Sequence, residues 1–310
     1  MLFIAPADLG ETVLATGALA HVLGPGDELT ALAGAEAAPL FRAAPAAPAA
    51  RVRVPERGGV SWALAALVAG KRFDAAIDAR GGWLGRLAPT TRTLSLSPPQ
   101  MLRHRVEDWG EAAGAGRALA PTIWLDEAAR EAAARTVGEA RQILVLAPGG
   151  SDEAKRWPAE RFAAVARRLA SGAMDNATVL ILGAAERDDE VTRSIAQSLD
   201  ADGVIARGVG AGLDLLAAGA VMERATLVIG NDNALTHIAA ALGAPTLTLF
   251  GPTDERVRAP YGPRARTLRG RALDELGDAP YLDAGAAMED VSIDAVESAA
   301  IEQLHAGGLR

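Results

Sequence analysis

Short apolar runs alternate with longer amphipathic stretches from one end of the chain to the other. LFIAP (2–6) reads as a buried strand, broken by the loop Ala7-Asp8-Leu9-Gly10. Val13, Leu14, Leu19 and Val22 then fall near helical spacing, and Gly24-Pro25-Gly26 ends the helix. Further strands are expected at 28–33, 51–54, 73–78 and 92–96, with Ala-rich helices between them. The Pro/Ala stretch 43–50 and Ser97-Pro98-Pro99 read as loops, and a helix is expected from about Met101. The second half repeats the rhythm. ILVLA (143–147), TVLILG (178–183), LVIG (227–230) and PTLTLFG (245–251) read as strands. Helices are expected from Pro158 to about Ala170, from about Glu186 to Leu199, and at about 233–242. Pro158 suits a first helical position, where its missing N–H costs nothing. The run Gly208–Gly212 follows no convincing strand and reads as a loop.

Strands alternating with helices imply parallel sheets wound by right-handed crossovers. At 310 residues the chain exceeds what one core usually organises. The expected fold is therefore α/β, with two Rossmann-like domains whose parallel sheets face a central cleft. The boundary is placed at 130, within the stretch 122–141, giving domains 1–130 and 131–310. A last helix at 292–304 is expected to pack back on the first domain.

Composition then narrows the chemistry. Half the residues are hydrophobic and 23% are charged, which suits a globular chain. No apolar run approaches the roughly 20 residues that span a bilayer, and no secretory signal is legible, so a cytoplasmic location is expected. With no Cys and only 4 His, thiol catalysis, iron–sulfur clusters and Cys- or His-built zinc sites are excluded or disfavoured. The net charge of −8 argues against a nucleic-acid partner. Of the 31 basic residues only Lys71 and Lys155 are lysines, and two of the few Asn, Asn231 and Asn233, flank Asp232.

In open parallel sheets ligands bind beyond the carboxyl ends of the strands, which directs attention to loops 6–11, 148–157 and 230–237. The first lacks both G-x-G-x-x-G and G-x-x-x-x-G-K-[ST], so dinucleotide and P-loop readings have no motif. In the third, Asp232 or Asn233 reads locally as a helix N-cap, and His237 as a packed helix residue. Lys155 reads locally as a solvated cation near a helix start, a mildly unfavourable place for one.

Three segments carry a resemblance. LVIGNDNALTHIAAALGAPTLTLFGPTDERVRAPYG (227–262), APGGSDEAKRWPAERFAAVARRL (147–169) and LFIAPADLGETVLATGAL (2–19) resemble, in order and spacing, the blocks of glycosyltransferase family 9, the ADP-heptose:lipopolysaccharide heptosyltransferases. The resemblance implies a GT-B fold and an inverting transfer that needs neither metal nor cofactor. The formal D-x-D of Asp200 and Asp202 reads as a solvated turn. Asp232, Asn233, Ala234 and His237 then fall at the donor site, with Lys155, Ser151 and Gly150 on its phosphates and Glu186 on the ribose. The family's catalytic Asp maps to Glu11, one methylene longer, and Asp8 in the same loop is a second candidate base. Glu11 reads equally as a first-turn helix Glu favoured by the dipole. Gly17 stands where the family usually has Pro.

The acceptor side is suggested by charge. Ten basic residues between Arg51 and Arg105 face Glu56, Asp74 and Asp78, a local balance of about +7 that suits an anionic lipid A-core acceptor. The same segment suits peripheral contact with the anionic inner leaflet. Arg80, Arg103 and Arg105 are the expected acceptor contacts. The expected activity is transfer of heptose from ADP-heptose to an inner-core lipopolysaccharide acceptor. Two alternatives stand beside it: another nucleotide-sugar donor, and a catalytically weak relative acting as a nucleotide-sugar-binding scaffold.

Overall fold

The computed structural model describes residues 1–45, 51–53, 71–80, 89–96, 102–210, 212–276 and 284–306. Gly81-Gly82, Ser97-Pro98-Pro99, Arg57, Arg86 and most of the Pro/Ala stretch lie outside the described residues. The chain forms two compact units: Met1–Asp126 with Arg256–Arg258, and Glu127–Glu255 with Ala259–Arg310.

The first unit holds strands β1 (Leu2–Ile4), β2 (Thr30–Leu32), β3 (Arg51–Arg53), β4 (Phe73–Asp78) and β5 (Thr90–Ser95) in one sheet of order β3-β2-β1-β4-β5. Each pairing is parallel. β1 is central and its three side chains are fully buried, as the apolar run requires, each contributing about 1.5–3 kcal/mol. Helix α1 (Leu9–Val22) follows β1 and packs on α2 (Arg105–Ala113). Asp8 caps α1, accepting the Glu11 N–H at 2.8 Å, and Thr16 Oγ1 accepts the Thr122 N–H at 3.0 Å.

That last bond marks where segment 119–122 crosses α1. A Cβ on Gly17 would sit 2.5 Å from the carbonyl oxygens of Leu119 and Ala120. A side chain or proline ring has no room at this position, where the backbone of 119–120 comes close. In an open helix Gly→Ala stabilises by about 1 kcal/mol. Here Gly17→Ala should destabilise, because overpacking costs about 1–3 kcal/mol. Thermal unfolding reads the sign, and a raised midpoint would contradict the crossing.

The second unit opens with α3 (Glu127–Val137). It continues as β6 (Ile143–Ala147), α4 (Ala159–Ala170), β7 (Thr178–Leu182), α5 (Asp189–Ala201), β8 (Ala206–Gly210), α6 (Leu215–Glu223) and β9 (Leu227–Asn231). Then come α7 (Ala234–Ala241), β10 (Thr246–Phe250), α8 (Glu255–Arg258, of which Arg256–Arg258 belong to the first unit), β11 (Ala265–Arg269), α9 (Ala284–Glu289) and α10 (Ile293–Ala306). Its sheet runs β11-β10-β9-β6-β7-β8, all parallel. The four strands β6, β7, β9 and β10 are buried along their whole length, as parallel strands covered on both faces must be.

Two expectations are corrected. Gly208 to Gly210 is not loop but the end of edge strand β8, where Cβ on Gly208 would come within 3.0 Å of the Thr192 carbonyl of α5. A half-exposed strand of Gly and Arg carries no apolar run to announce it. The last helix, α10, belongs to the second unit: Val296, Ala300 and Leu304 lie in that unit's core, against α4, β9, β10 and β11. An apolar stripe on a terminal helix does not by itself say which sheet it covers. Among the described residues no helix is long and apolar enough to cross a membrane.

Candidate functional site

In both sheets the strand order reverses beside the first strand of the unit, between β1 and β4 and between β6 and β9. The loops leaving two such neighbours turn to opposite faces and open a crevice where ligands bind. In the second unit those loops are 148–158, after β6, and 232–233, after β9. Asn231 and Asn233 staple them together. The Asn231 amide donates to the Pro148 carbonyl at 2.7 Å and its oxygen accepts the Trp157 N–H at 3.1 Å. The Asn233 amide donates to the carbonyls of Ala147 and Gly149, both at 2.9 Å. Its oxygen caps α7, accepting the N–H groups of Leu235 at 2.9 Å and Thr236 at 3.2 Å. Thus two of the helix-start N–H groups offered to an anion are already satisfied, and the local N-cap reading of Asn233 holds. Trp157 anchors the far end of the first loop: it is buried, donates its indole N–H to the Val291 carbonyl at 2.9 Å, and meets Phe162 edge-on at 5.0 Å.

Between the stapled loops lies Asp232, 6% exposed. Its Oδ2 accepts from Lys155 Nζ at 3.0 Å and from the Thr253 hydroxyl at 2.8 Å. Its Oδ1 lies 3.7 Å from His237 Nε2, an electrostatic contact longer than a hydrogen bond. Burial pushes the Asp232 carboxyl up, yet the His237 imidazole, the Lys155 charge and the Thr253 hydroxyl outweigh it and hold the group well below the usual carboxylate range. His237 is itself 4% exposed, and its Nδ1 makes no hydrogen bond among the described residues. Lys155 ends a 3-10 turn (Glu153–Lys155) capped by Asp152, and its side chain keeps 16% exposure. An ammonium has three donors and spends one on Asp232. The others can meet an anionic ligand.

The remaining donor-side candidates surround this pair. Gly150 is buried, and its carbonyl accepts from Arg156 Nη2 at 2.8 Å; Ser151 is exposed. Glu186 is exposed at the start of a 3-10 turn (Glu186–Asp188), on the loop after β7. Sequence reading passed over its neighbour Asp188, which is 1% exposed and accepts the Ala184 N–H at 3.0 Å. A Cβ on Gly149 would lie 2.5 Å from the Asp188 carboxylate, so the Gly149-Gly150 backbone is shaped directly against it. The helix-start register of Asp188 was its one available signal, and that signal is shared by every N-terminal carboxylate. Asp202 of the formal D-x-D is the C-cap of α5 and pairs with Arg167 Nε at 2.7 Å.

The first unit places Glu11 in the first turn of α1, at the carboxyl end of β1. Arg105 Nε stands 3.5 Å from Glu11 Oε2, and Arg258 Nη2 stands 3.6 Å from Oε1. Glu11 Oε1 and Arg105 Nε are buried atoms with no hydrogen bond among the described residues. Asp8 is exposed and occupied in capping. Arg105 also lies 3.5 Å from Asp108, and Arg103 pairs with Asp108 at 3.2 Å and Glu111 at 2.5 Å. Arg80 is exposed, and its N–H donates to Asp78 Oδ1 at 3.2 Å beyond β4. Hence Arg105 adjoins Glu11, whereas Arg103 is tied to acidic residues of α2.

Comparison with known proteins places this geometry in context. The family model described as glycosyltransferase family 9 (heptosyltransferase) matches residues 96–281, more than half of the chain. Lipooligosaccharide heptosyltransferase 2 of Haemophilus influenzae is 30% identical over 131 residues, 42% of this chain and 37% of that protein. Lipopolysaccharide heptosyltransferase 2 of Escherichia coli K12 is 28% identical over 131 residues, 42% of this chain and 36% of that protein. These matches span little more than a third of the curated relatives' length. Among solved structures, E. coli ADP-heptose lps heptosyltransferase II aligns with a TM-score of 0.76 at 19% identity, covering 99% of both chains. The glycosyl transferase family 9 structure from Veillonella parvula aligns at 0.75 and 20% identity, covering 98% of this chain and 97% of that one. At such identities the likeness is one of fold.

Proposed function

The chain belongs to glycosyltransferase family 9, and from that premise we propose that it transfers heptose from ADP-heptose to an inner-core lipopolysaccharide acceptor. The observation that carries the reading is the Lys155–Asp232 pair at the strand-order reversal of the second sheet. A cation held there by a buried carboxylate suits a departing diphosphate, whose charge must be stabilised as it develops. Ser151, the Gly150 backbone and the start of α7 add neutral donors, and Glu186 is suited to a ribose hydroxyl. Glu11 is the proposed base. It takes the proton of the acceptor hydroxyl, whose oxygen bonds to the anomeric carbon from the face opposite the nucleotide. The bond from that carbon to the β-phosphate oxygen breaks, and ADP leaves with the electron pair. The configuration inverts, and no metal takes part.

Arg80, Arg103 and Arg105 are proposed to meet the acceptor's phosphates and carboxylates, which the guanidinium fork grips bidentately. The reaction is placed on the cytoplasmic face of the inner membrane, approached through the basic segment 51–105. Calorimetric titration with ADP-heptose, against UDP- and GDP-sugars, tests the donor. Selective micromolar binding of ADP-heptose is expected. Preference for another nucleotide would replace the donor, and binding without transfer to a lipid A-core acceptor would make the protein a nucleotide-sugar-binding scaffold.

A further inference from the structure

Neither Thr253 nor Arg269 stands out in the sequence, yet both bear on Asp232. The segment Gly251–Glu255 leaves the carboxyl end of β10 and delivers the buried Thr253 hydroxyl to Asp232 Oδ2, at 2.8 Å. That oxygen is the one Lys155 also holds, at 3.0 Å. Two donors on one oxygen, from segments on either side of Asp232 in the sequence, fix where the carboxylate sits and therefore where the ammonium sits. Between the end of β10 and the start of α8 the backbone of Gly251–Asp254 belongs to no strand or helix, so side-chain bonds from elsewhere help to set its position.

Arg269 sets it. This residue ends edge strand β11, in register with Phe250 of β10, and its side chain is only 11% exposed. Its Nη1 donates to the Gly251 carbonyl at 2.6 Å, and its Nη2 donates to the Thr253 carbonyl and, at 2.6 Å, to Glu255 Oε2. Its Nε is shared between both Glu255 oxygens at 3.1 Å. One guanidinium thus ties the beginning, middle and end of the segment. A guanidinium presents five N–H donors in a rigid plane, which the single point charge of Lys cannot reproduce.

We infer that Arg269 is a positioning residue of the donor site. Through Gly251, Thr253 and Glu255 it holds the Thr253 hydroxyl on Asp232, and Asp232 in turn holds Lys155 for a nucleoside diphosphate. The inference rests on the donor reading above. Arg269 touches neither Asp232 nor Lys155, so its effect travels entirely through the segment and must vanish once the Thr253 hydroxyl is gone.

ADP, UDP and GDP are titrated into wild type, T253V, T253S, R269K, R269Q and the T253V/R269Q double variant, with thermal unfolding of each. T253V should weaken the preferred nucleotide about tenfold, the value of one hydrogen bond to a charged group, and T253S should restore it. R269K and R269Q should each weaken it to a similar degree, and the double variant should bind no worse than R269Q alone. In turnover, the donor KM should rise while the acceptor KM stays put. Wild-type affinity in R269Q, or additive losses in the double variant, overturns the inference while leaving the donor site standing. If R269Q does not fold, equal binding by T253V and T253S overturns it. A wild-type protein that binds none of the three nucleotides removes the donor reading and this inference with it.

Discussion

Glu11→Gln should lower kcat for sugar transfer by between about a hundredfold and ten-thousandfold, the range a positioned general base supplies, and should leave nucleotide affinity unchanged. Gln keeps the length and most of the shape of Glu but cannot accept a proton. The binding half of the expectation follows from location. Glu11 belongs to the first unit and Lys155 and Asp232 to the second, so the substitution removes no group from the proposed donor site. Its carboxylate stands 3.5 Å from Arg105 and 3.6 Å from Arg258, and Oε1 is buried without a hydrogen bond. That leaves an acceptor lone pair for an incoming hydroxyl. Glu11→Asp supplies the residue the family usually carries, but draws the carboxylate back along α1 by one methylene. With the two guanidiniums placed for Glu, a displacement of about 1 Å should cost on the order of a hundredfold. Steady-state kinetics with a lipid A-core acceptor decides the matter. Full turnover by Glu11→Gln would rule out Glu11 as the base and return attention to Asp8.

Asp232→Ala should destabilise the second unit by about 3–5 kcal/mol, the usual cost of stranding one member of a buried ion pair, and should abolish measurable nucleotide binding. It removes the acceptor for Lys155 Nζ and Thr253 Oγ1 together. It also takes away the charge facing His237. The Asp232 carboxyl also makes stability depend on pH. Its folded pKa lies below the ordinary carboxylate value, so the unfolded chain binds the proton more readily. The resulting stabilisation is complete above the ordinary carboxylate range and is lost as pH falls through that range toward the folded pKa. Asp232→Asn isolates this contribution, because every other carboxylate titrates equally in both proteins. Urea melts should therefore show a stability gap between wild type and Asp232→Asn that is widest near neutral pH and narrows below about pH 4. A gap that stays constant down to pH 3 would mean that the carboxylate is not held in its charged form by its neighbours.

Much of the candidate site could be read locally, and the reasons differ by residue. Asn233 carries the N-cap signal because a cap is a bond between a side chain and an N–H two or three residues away. Lys155 and Asp232 drew attention through the scarcity of Lys and Asn in this chain and the family blocks around them. What each does to the other could not be read, since 77 residues separate them. Asn231 and Asn233 flank Asp232 in the sequence, and their side chains join two loops, a role that residue type alone does not announce. Thr253 and Arg269 gave no signal, and Asp188 gave only a helix-start register: a Thr after a strand, an Arg on an edge and an acid at a helix start are each common.

The sequence by itself determined the period of each element. Continuous apolar runs became the buried central strands, apolar positions three and four apart became the helices, and their alternation committed the chain to two parallel α/β units. Those are short-range properties, decided by where a side chain must point over a few residues. Only the tertiary structure decided the strand orders and, with them, the two crevices. Only it could put Lys155, Asp232 and Thr253 on one oxygen, or give α10 to the second core. Strands β8 and β11 belong to the same class: their part-exposed residues show no continuous apolar run, and the backbone bonds that hold each to its neighbour leave no mark on its side-chain pattern.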